Sequence, residues 1–467
     1  MGVERNFGIV DVVERDMCIG CGACAVISNG KIPIQINPRG FFQADLTSTD
    51  PEEIEKANLV CPISDTSTNE DEIAQKYFPQ LEFNEYVSRI GTTMVGRLNN
   101  ELELIRSSAG GITTHLLVKL VELGLVDGVI HIKSQNSAGN GLFEYGISYT
   151  APEVGSSRKS VYYATTLSEV LLNIANDNLT YALVGVPCFI KAGRLLVEQD
   201  ERFQKKIKYF VGLVCGHLKS SFFAESLAWQ AGIHPTDLAS IDFREKVRNS
   251  SSNNYGYSVE SKISTVKKVK LMAETVDGNW GLGVFQPEAC NFCDDIFADT
   301  ADIVFGDAWL PEYENSWEGT NIVIARNPQL LEILQNSKSK DEIFLTEVPL
   351  SSVLDSQAGN IRHRRIGLQV RLEDDRKSNL RVPVKRVKPG YSNIPMLRRL
   401  LIRNRRRGSR ASFRYFLKAK ELNSLGHYLK MMEREKFILN CYIYIGKPRS
   451  LLKRIFTKIR DSIPSKK

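Results

Sequence analysis

The stretch YALVGVPCFIKAG, residues 181–193, predicts a buried strand that ends in a tight turn. Its first residues form an uninterrupted apolar run, which is typical of a parallel strand covered on both faces. Gly185 and Pro187 then form a Gly-x-Pro turn, and Cys188 follows it. Ligands in open α/β sheets gather at the carboxyl ends of strands, so Cys188 stands where a binding residue is expected.

A second stretch, KYFVGLVCGHLKSSFFAESLAW (208–229), has the same design. An apolar strand ends at Cys215, and Gly216 and a predicted helix follow it. A single buried Cys is usually a small hydrophobe, and we interpret Cys441, in KFILNCYIYIG, in that way. His217 is a candidate catalytic residue that donates a hydrogen bond or relays a proton, although a lone His is more often a satisfied polar residue.

The segment EACNFCDDIFADTADIVFGDAWL (288–310) places Cys290 and Cys293 in a C-x-x-C motif followed by an acidic run. A lone C-x-x-C fits a redox disulfide, half of a zinc site or half of an iron–sulfur site. A thioredoxin-like pair would begin a helix early in a βαβ unit, whereas this pair is late and acidic. Together with Cys188 and Cys215, it predicts a second [4Fe–4S] site. We expect the carboxylates beside that site to lower its reduction potential.

The N-terminal stretch DMCIGCGACAVIS (16–28) contains Cys18, Cys21 and Cys24, and Cys61 follows at NLVCPIS. Three thiolates at this spacing and a distant Cys-Pro form the ligand set of a cubane [4Fe–4S] cluster. Zinc sites are the alternative, but they usually use separated C-x-x-C pairs. The segment between them predicts short strands with a turn at residues 38–40, and then a helix leading into Cys61.

Several stretches, in this order along the chain, make the sequence resemble the beta-subunit family of the coenzyme F420 (deazaflavin) hydrogenases and dehydrogenases. They are RSSAGGITTHLLVKLVELGLVDGVI (106–130), GVPCFIKAGRLL (185–196), GLVCGH (212–217), IDFREK (241–246) and CNFCDDIFADTADIVFGDAW (290–309). With the leading cluster motif they cover roughly residues 15–330. The resemblance implies FAD held beside an iron–sulfur cluster, and electron transfer to or from a small acceptor.

The FAD site is expected where SSAGGITTHLLVKLVELG opens a helix, since backbone N–H groups and the helix dipole there suit a phosphate. The alternative is that this segment is an ordinary helix cap that binds no phosphate. The helix would bury Leu116, Leu117, Leu120, Val121 and Leu123 on one face. The resemblance also places Arg244 and Lys246 at the active site, and Asp307 ends a strand where it fits a ligand contact or a helix cap equally well. The candidate cofactor-binding residues are Ser107, Ser108, Gly110, Gly111, Lys159, Ser160, Gly185 and Pro187.

The charge of the chain is unevenly distributed. Residues 381–467 carry 25 Lys and Arg against 4 Asp and Glu, whereas the rest of the chain carries 36 against 50. Residues 362–395 predict a linker, and SLLKRIFTKIRDSI (450–463) predicts a basic amphipathic helix. We expect this tail to contact an anionic membrane surface; nucleic acid binding is disfavoured without a recognised motif, and a hairpin packed on the body is the third alternative.

The predicted fold is α+β and α/β. Residues 1–80 form a ferredoxin-type domain, 85–375 an α/β domain for FAD and the second cluster, and 376–467 a basic linker and amphipathic helical tail. No long apolar run or signal core is present, so we expect a cytoplasmic protein, with a peripheral position on the inner membrane surface as the alternative that the basic tail suggests.

The predicted function is that of an iron–sulfur flavoprotein oxidoreductase. Electrons would pass from a ferredoxin-like donor through two [4Fe–4S] clusters to FAD and a small-molecule substrate, in a setting such as polysaccharide biosynthesis. One alternative is an electron-transfer subunit of a larger dehydrogenase or hydrogenase complex that uses a deazaflavin coenzyme. The other is a non-enzymatic, cluster-bearing scaffold or sensor.

Overall fold

The computed structural model describes residues 6–135, 141–248, 250–264 and 267–445. The N-terminal region contains short helices around a two-stranded antiparallel hairpin, as the sequence predicted. Its helices are α1 (Ile9–Glu14), α2 (Ala23–Ile27), α3 (Pro51–Val60) and α4 (Glu70–Tyr77), and its strands are β1 (Ile34–Ile36) and β2 (Phe42–Ala44). Gly40 closes the predicted turn with φ +73°, a conformation that costs glycine little. Helix α3 leads directly into Cys61, which confirms the predicted helix.

The body is built on one mixed sheet of eight strands. These are β5 (Thr92–Leu98), β6 (Gly128–Ser134), β7 (Phe143–Ser148), β8 (Tyr181–Gly185), β9 (Ile207–Leu213), β13 (Ile303–Asp307), β14 (Asn321–Ala325) and β15 (Ile343–Glu347). Their order is β15-β5-β14-β13-β9-β8-β6-β7. The central strands β6, β8, β9 and β13 are parallel, and the outer pairs are antiparallel. The buried parallel strands predicted at 181–185 and 208–214 are therefore confirmed as β8 and β9.

Two smaller sheets accompany the main one. A two-stranded hairpin pairs β3 (Phe83–Asn84) with β4 (Ser88–Arg89). A three-stranded antiparallel sheet contains β10 (Leu238–Glu245), β11 (Gly256–Ser261) and β12 (Lys268–Leu271). The N-terminal region shares one hydrophobic core with the main sheet, since Val26 and Ala57 belong to the same buried cluster as Leu183 and Phe210. The cysteines of the N-terminal region are thereby held against the carboxyl ends of the parallel strands.

Helices pack on the main sheet and connect its strands. They are α5 (Glu101–Ile105), α6 (Ile112–Glu122), α7 (Ala151–Ser156), α8 (Ser168–Ile174), α9 (Pro187–Gln199), α10 (Ser221–Gln230), α11 (Pro311–Glu314), α12 (Pro328–Ser339), α13 (Leu350–Ser356), α14 (Ala358–Arg362) and α15 (Leu368–Lys377). Helix α6 buries Leu116, Leu117 and Leu120 as predicted. The prediction for Leu123 was wrong, because α6 ends at Glu122 and Leu123 is 59% exposed in the turn that follows.

The C-terminal region differs from the predicted linker. Residues 363–367 form a π-helical turn and 368–377 form α15, so the linker assignment over 362–395 was wrong in its first half. Beyond it, α16 (Met396–Glu421) and α17 (Leu425–Ile445) form a helical hairpin that packs on the body. Phe416, Tyr428 and Met432 are fully buried in one core with the residues of β10 and β11. The described hairpin thus matches the packed alternative, and the predicted amphipathic helix at 450–463 lies outside the described residues.

Within the described ranges, no helix combines the length and the apolar character that crossing a bilayer requires.

Candidate functional site

The first cysteine group gathers Cys18, Cys21, Cys24 and Cys61 at the start of the chain. Cys21, Cys24 and Cys61 are buried and Cys18 is partly buried. Burial raises the pKa of the Cys24 thiol, and the neighbouring charges of the other three cysteines raise it further. These mutual effects place the four cysteines near one another.

Glycines shape the path of the chain around this group. Gly20 and Gly22 have φ of +69° and +83°, in the left-handed region that glycine adopts at little cost. A Cβ at Gly20 would meet the Phe42 carbonyl oxygen at 2.5 Å, and a Cβ at Gly22 would meet the Ser168 nitrogen at 2.6 Å. Any side chain at either position would therefore push the loop out of place.

The second cysteine group lies at the carboxyl ends of β8 and β9. Cys188 is in the first turn of α9, Cys215 follows β9, and Cys290 lies in a short 3₁₀ turn that Cys293 follows. All four line one small pocket, which we name the second cysteine pocket. Burial raises the pKa of Cys188, and Cys215, Cys293 and Cys290 raise it further, in that order. The structure therefore brings together the four thiols that the sequence had assigned to one site.

The two groups are close to each other. Ile19 and Pro62, from the N-terminal group, line the second cysteine pocket. Cys21 also contributes to the raised pKa of Cys188, after burial and the three cysteines of its own group. Burial raises the pKa of Tyr145, and Cys188 and Cys21 both add to that effect. The chain thus holds eight thiols in two neighbouring groups.

Among the described residues, no three or more His, Cys, Asp or Glu side chains stand close enough to hold a single metal ion. A cubane cluster is larger than an ion, because each thiolate binds a different iron at a corner of the cube. Its ligands must therefore stand further apart than those of zinc. The two groups have the donor set that a cubane needs, four thiols each, without convergence on one point.

Arg364 is a charged residue of the second cysteine pocket that the sequence did not reveal. It is 1% exposed and lies in the π-helical turn. Its Nη2 donates to the carbonyl oxygens of Cys215 at 3.3 Å and Gly216 at 2.5 Å. Its Nε and Nη1 are buried and have no hydrogen-bond partner in the described part of the chain. Burial acts to lower the pKa of Arg364, but the four thiols of the pocket together raise it.

Several carboxylates of the acidic run pair with basic side chains, which the sequence did not predict. Asp294 lies 3.5 Å from Arg386 and 3.9 Å from Lys385, and Asp299 lies 2.6 Å from Arg386. Asp302 pairs with Arg194 at 2.9 Å. Lys385 and Arg386 lie inside the stretch predicted to be a linker, whereas Arg194 lies on α9. The effect of the carboxylates on a reduction potential stays a prediction.

A cavity of about 750 Å³ opens beside the second cysteine pocket. Cys215 and Leu218 line both spaces, so the cavity reaches the thiols directly. Its volume is in the range of small-molecule and cofactor sites. Most of the predicted cofactor-binding residues line it, namely Ser107, Ser108, Gly111, Lys159, Ser160 and Gly185.

Two predicted cofactor residues lie elsewhere. Gly110 packs against the sheet, where a Cβ would meet the Gly96 carbonyl oxygen at 2.6 Å. Pro187 lines the second cysteine pocket and not the large cavity. Lys159 lines the cavity but is already engaged, since its Nζ donates to the Arg244 carbonyl oxygen at 3.0 Å and pairs with Asp242 at 2.9 Å.

Arg244 and Asp307 form an ion pair in the cavity wall. The Arg244 guanidinium donates to both carboxylate oxygens of Asp307, at 3.2 and 3.3 Å, and is 3% exposed. Its Nε is buried without a hydrogen-bond partner among the described residues. Lys246 does not line the cavity, because its Nζ donates to the Ala109 carbonyl oxygen at 3.0 Å. The structure thus brings Arg244 and Asp307 together and turns Lys246 towards a neighbouring loop.

His217 lines the cavity next to Cys215. Its ring lies 5.0 Å from the Trp280 ring, and its Nε2 is buried without a partner in the described chain. Burial lowers the pKa of His217 well below its usual value, and the cations Lys219 and Arg364 lower it further. The imidazole is therefore neutral at physiological pH and offers one unused ring nitrogen to the cavity.

Comparisons with known proteins agree with this architecture. The family described as the N-terminal part of the coenzyme F420 hydrogenase/dehydrogenase beta subunit matches residues 93–172. Its companion, described as the C-terminal part of the same beta subunit, matches residues 179–350, so the two matches together span more than half of the chain. No curated protein matches this sequence.

Among solved structures, the chain is similar to one from "Xenon derivatization of the F420-reducing [NiFe] hydrogenase complex from Methanosarcina barkeri". The identity is 17% and the TM-score 0.49, with 65% of this chain and 99% of that chain covered. On the strength of the two family matches, the chain belongs to the coenzyme F420 hydrogenase/dehydrogenase beta-subunit family.

Proposed function

We propose that this chain is an electron-transfer oxidoreductase subunit that holds two [4Fe–4S] clusters and FAD. The observation that carries the proposal is the succession of three neighbouring features: the first cysteine group, the second cysteine pocket and the large cavity. Ile19 and Pro62 join the first two, and Cys215 lines both the pocket and the cavity. When bound, the clusters would supply one-electron transfers, and the flavin would exchange electron pairs with a substrate.

The N-terminal residues fit the first cluster. Cys18, Cys21, Cys24 and Cys61 would be its ligands, in a ferredoxin-type region that we place at residues 1–80. The left-handed glycines Gly20 and Gly22 let the loop follow the surface of the cluster, and both have backbone atoms within 2.6 Å of where a Cβ would stand. The fit rests on this tight loop and on the four neighbouring thiols.

The second cysteine pocket fits the second cluster. Cys188, Cys215, Cys290 and Cys293 would be its ligands. The unpartnered Nε and Nη1 of Arg364 supply donors and a positive charge beside four thiols, and thiolate ligands need such compensation when they are buried. The Leu218 amide donates to the Cys290 sulfur at 3.3 Å, which holds that ligand in place.

The large cavity suits FAD. Gly111, with φ +79°, precedes α6, so the N-terminus of that helix and the Ser108 hydroxyl offer donors for a phosphate. The Ser107 hydroxyl donates instead to the Glu103 carbonyl oxygen at 3.0 Å. The buried, unpartnered Nε of Arg244 supplies a further donor at the wall. In this arrangement Asp307 orients Arg244, while His217 holds its proton on one ring nitrogen and presents the other.

The family favours the subunit alternative over an enzyme that acts alone. Its members are described as beta subunits of hydrogenases or dehydrogenases, so we propose that a partner subunit supplies or accepts electrons at the N-terminal cluster. Coenzyme F420 is then one candidate for the small acceptor in the cavity. The family description names that coenzyme and no polysaccharide precursor, so we leave the polysaccharide setting out of the proposal.

Anaerobic purification tests this function. We expect flavin absorption together with bleachable iron–sulfur absorption, and about eight irons per chain. Copurifying subunits would identify the electron partner. Clusters without flavin would contradict the proposal, and so would about four irons per chain, since the second cysteine pocket would then have no cluster. Cys441→Ser is the matched control, because Cys441 lies on α17, outside both cysteine groups.

A further inference from the structure

Three arginines converge on one end of the large cavity. Arg362 ends α14, and Arg398 and Arg405 lie two turns apart on α16, so the C-terminal hairpin forms part of the cavity wall. All three positions lie beyond residue 350, where the family match ends. The family match therefore does not include the three arginines.

Among the described residues, these arginines have no carboxylate partner. In the described ranges, no ion pair or hydrogen bond engages the side chains of Arg362, Arg398 or Arg405, and the buried Nε of Arg405 has no partner. Four other arginines of α16 do pair: Arg403 with Asp374 at 2.6 Å, Arg406 with Asp375 at 2.5 Å, Arg407 with Glu435 at 2.6 Å and Arg410 with Glu288 at 2.9 Å. Arg398 and Arg405, the two arginines of α16 that line the cavity, have no such ion pair within the described part of the chain.

The three guanidinium groups also repel one another. Burial lowers the pKa of Arg405, and the charges of Arg398 and Arg362 lower it further. Burial likewise lowers the pKa of Arg398, and the charge of Arg362 lowers it further. Like charges held together without a counter-charge are unfavourable, and an anion placed between them would remove that cost.

The arginines and the residues assigned to the flavin phosphates have different neighbours in the cavity wall. A Cβ at Gly281 would lie 3.5 Å from Arg405 Nη2, which places Arg405 beside the Trp280 loop. The candidate phosphate ligands Ser108 and Lys159 lie instead near Arg244, since Ser108 accepts a hydrogen bond from the Arg244 guanidinium through its carbonyl oxygen at 3.2 Å.

We propose that Arg362, Arg398 and Arg405 form a subsite for a phosphate group of the substrate. The inference rests on the proposed function, since it makes the cavity a place where a phosphorylated small molecule meets the flavin. Phosphate suits the site because guanidinium groups bind it bidentately, and three cations match a group with two or more negative charges. The phosphate comes from a soluble molecule or from a lipid headgroup, and both present the same chemistry.

Calorimetric titration of the purified holoprotein with inorganic pyrophosphate tests the subsite. We expect binding that weakens with added salt, and that Arg398→Gln and Arg405→Gln each weaken about tenfold. Arg398→Lys should retain part of the affinity, because it keeps the charge and loses the bidentate contact. Arg414→Gln is the matched control, since Arg414 lies on the same helix, is exposed and does not line the cavity.

Equal affinity of the parent and of both Gln variants would overturn the subsite, and so would an equal loss in Arg414→Gln. Iron and flavin content, measured on the same samples, separates this result from the proposed function. If the purified protein contains no flavin but binds pyrophosphate in a way that requires Arg398, the proposed function is contradicted and the subsite is supported. Displacement of pyrophosphate by phosphatidylglycerol vesicles assigns a lipid source, and its absence assigns a soluble one.

Discussion

Replacing Arg364 should make the cluster that we propose for the second cysteine pocket harder to reduce. Its guanidinium is 1% exposed, donates to the Cys215 carbonyl oxygen at 3.3 Å, and interacts with the four thiols of the second cysteine pocket. A reduced cluster carries one more negative charge than an oxidised one. A cation beside it therefore stabilises the reduced form and raises the reduction potential.

The size of the effect follows from Coulomb's law. A unit charge about 5–8 Å away, in surroundings of effective dielectric constant about 20, contributes about 2–3 kcal/mol. For a one-electron couple, that free energy corresponds to about 90–140 mV. We therefore expect Arg364→Gln to lower the potential of the second cluster by this amount, and Arg364→Lys to restore most of it.

The assay is a redox titration of the anaerobic protein followed by electron paramagnetic resonance. Arg365→Gln is the control, because it removes the same charge from the neighbouring residue. The Arg365 side chain donates to the Glu85 carbonyl oxygen and lies over the Tyr86 ring. Iron content must be unchanged in both variants. A potential that moves by less than about 20 mV in Arg364→Gln, or equally in Arg365→Gln, would refute the reasoning.

The remaining predictions address the cluster ligands, the hairpin and the cavity wall. Cys293→Ser should reduce the iron content from about eight to about four per chain and leave the signal of the N-terminal cluster intact. Glu288→Gln removes the ion pairs to Arg406 and Arg410, at 2.5 and 2.9 Å, and should lower the free energy of unfolding in urea by about 3 kcal/mol, whereas Glu421→Gln, from an exposed pair, should change it by less than about 1 kcal/mol. Burial lowers the pKa of His131 to about 4, so below about pH 6.5 the unfolded chain takes up a proton that the folded chain refuses, and stability falls as the pH falls towards 4. His131→Gln should remove up to about 3 kcal/mol of this loss in the free energy of unfolding. Urea unfolding at each pH measures it.

The sequence was sufficient to predict the strands and thiols that form the candidate site. An apolar run followed by Gly-x-Pro at 185–187 predicts a buried strand and its loop, because the signal is local. The grouping of Cys188 and Cys215 with the C-x-x-C motif follows from one rule, that parallel strands end at the same edge of a sheet. Spacing alone was enough for the N-terminal group.

The charged surroundings of the thiols could not be predicted in the same way. Arg364 and Arg386 lie in a charge-rich stretch, and exposed charges are by default solvated, so the stretch resembles a linker. In the structure, these residues meet Cys215 and Asp299, which are separated from them by 149 and 87 positions. No local pattern encodes such a pairing, and only the basic stretch RHRR at 362–365 could have drawn attention to Arg364.

The basic C-terminal segment and the acidic body form one electrostatic unit over the described residues. Arginines of α16 pair with Glu288 and Asp375 of the body, and Arg386 neutralises carboxylates next to Cys293. A surface that attracts a membrane or a nucleic acid would keep its cations free and exposed, yet here much of the positive charge faces inward. The expectation of membrane contact therefore depends on residues 446–467, outside the described residues, and the hairpin is better understood as part of the wall of the site.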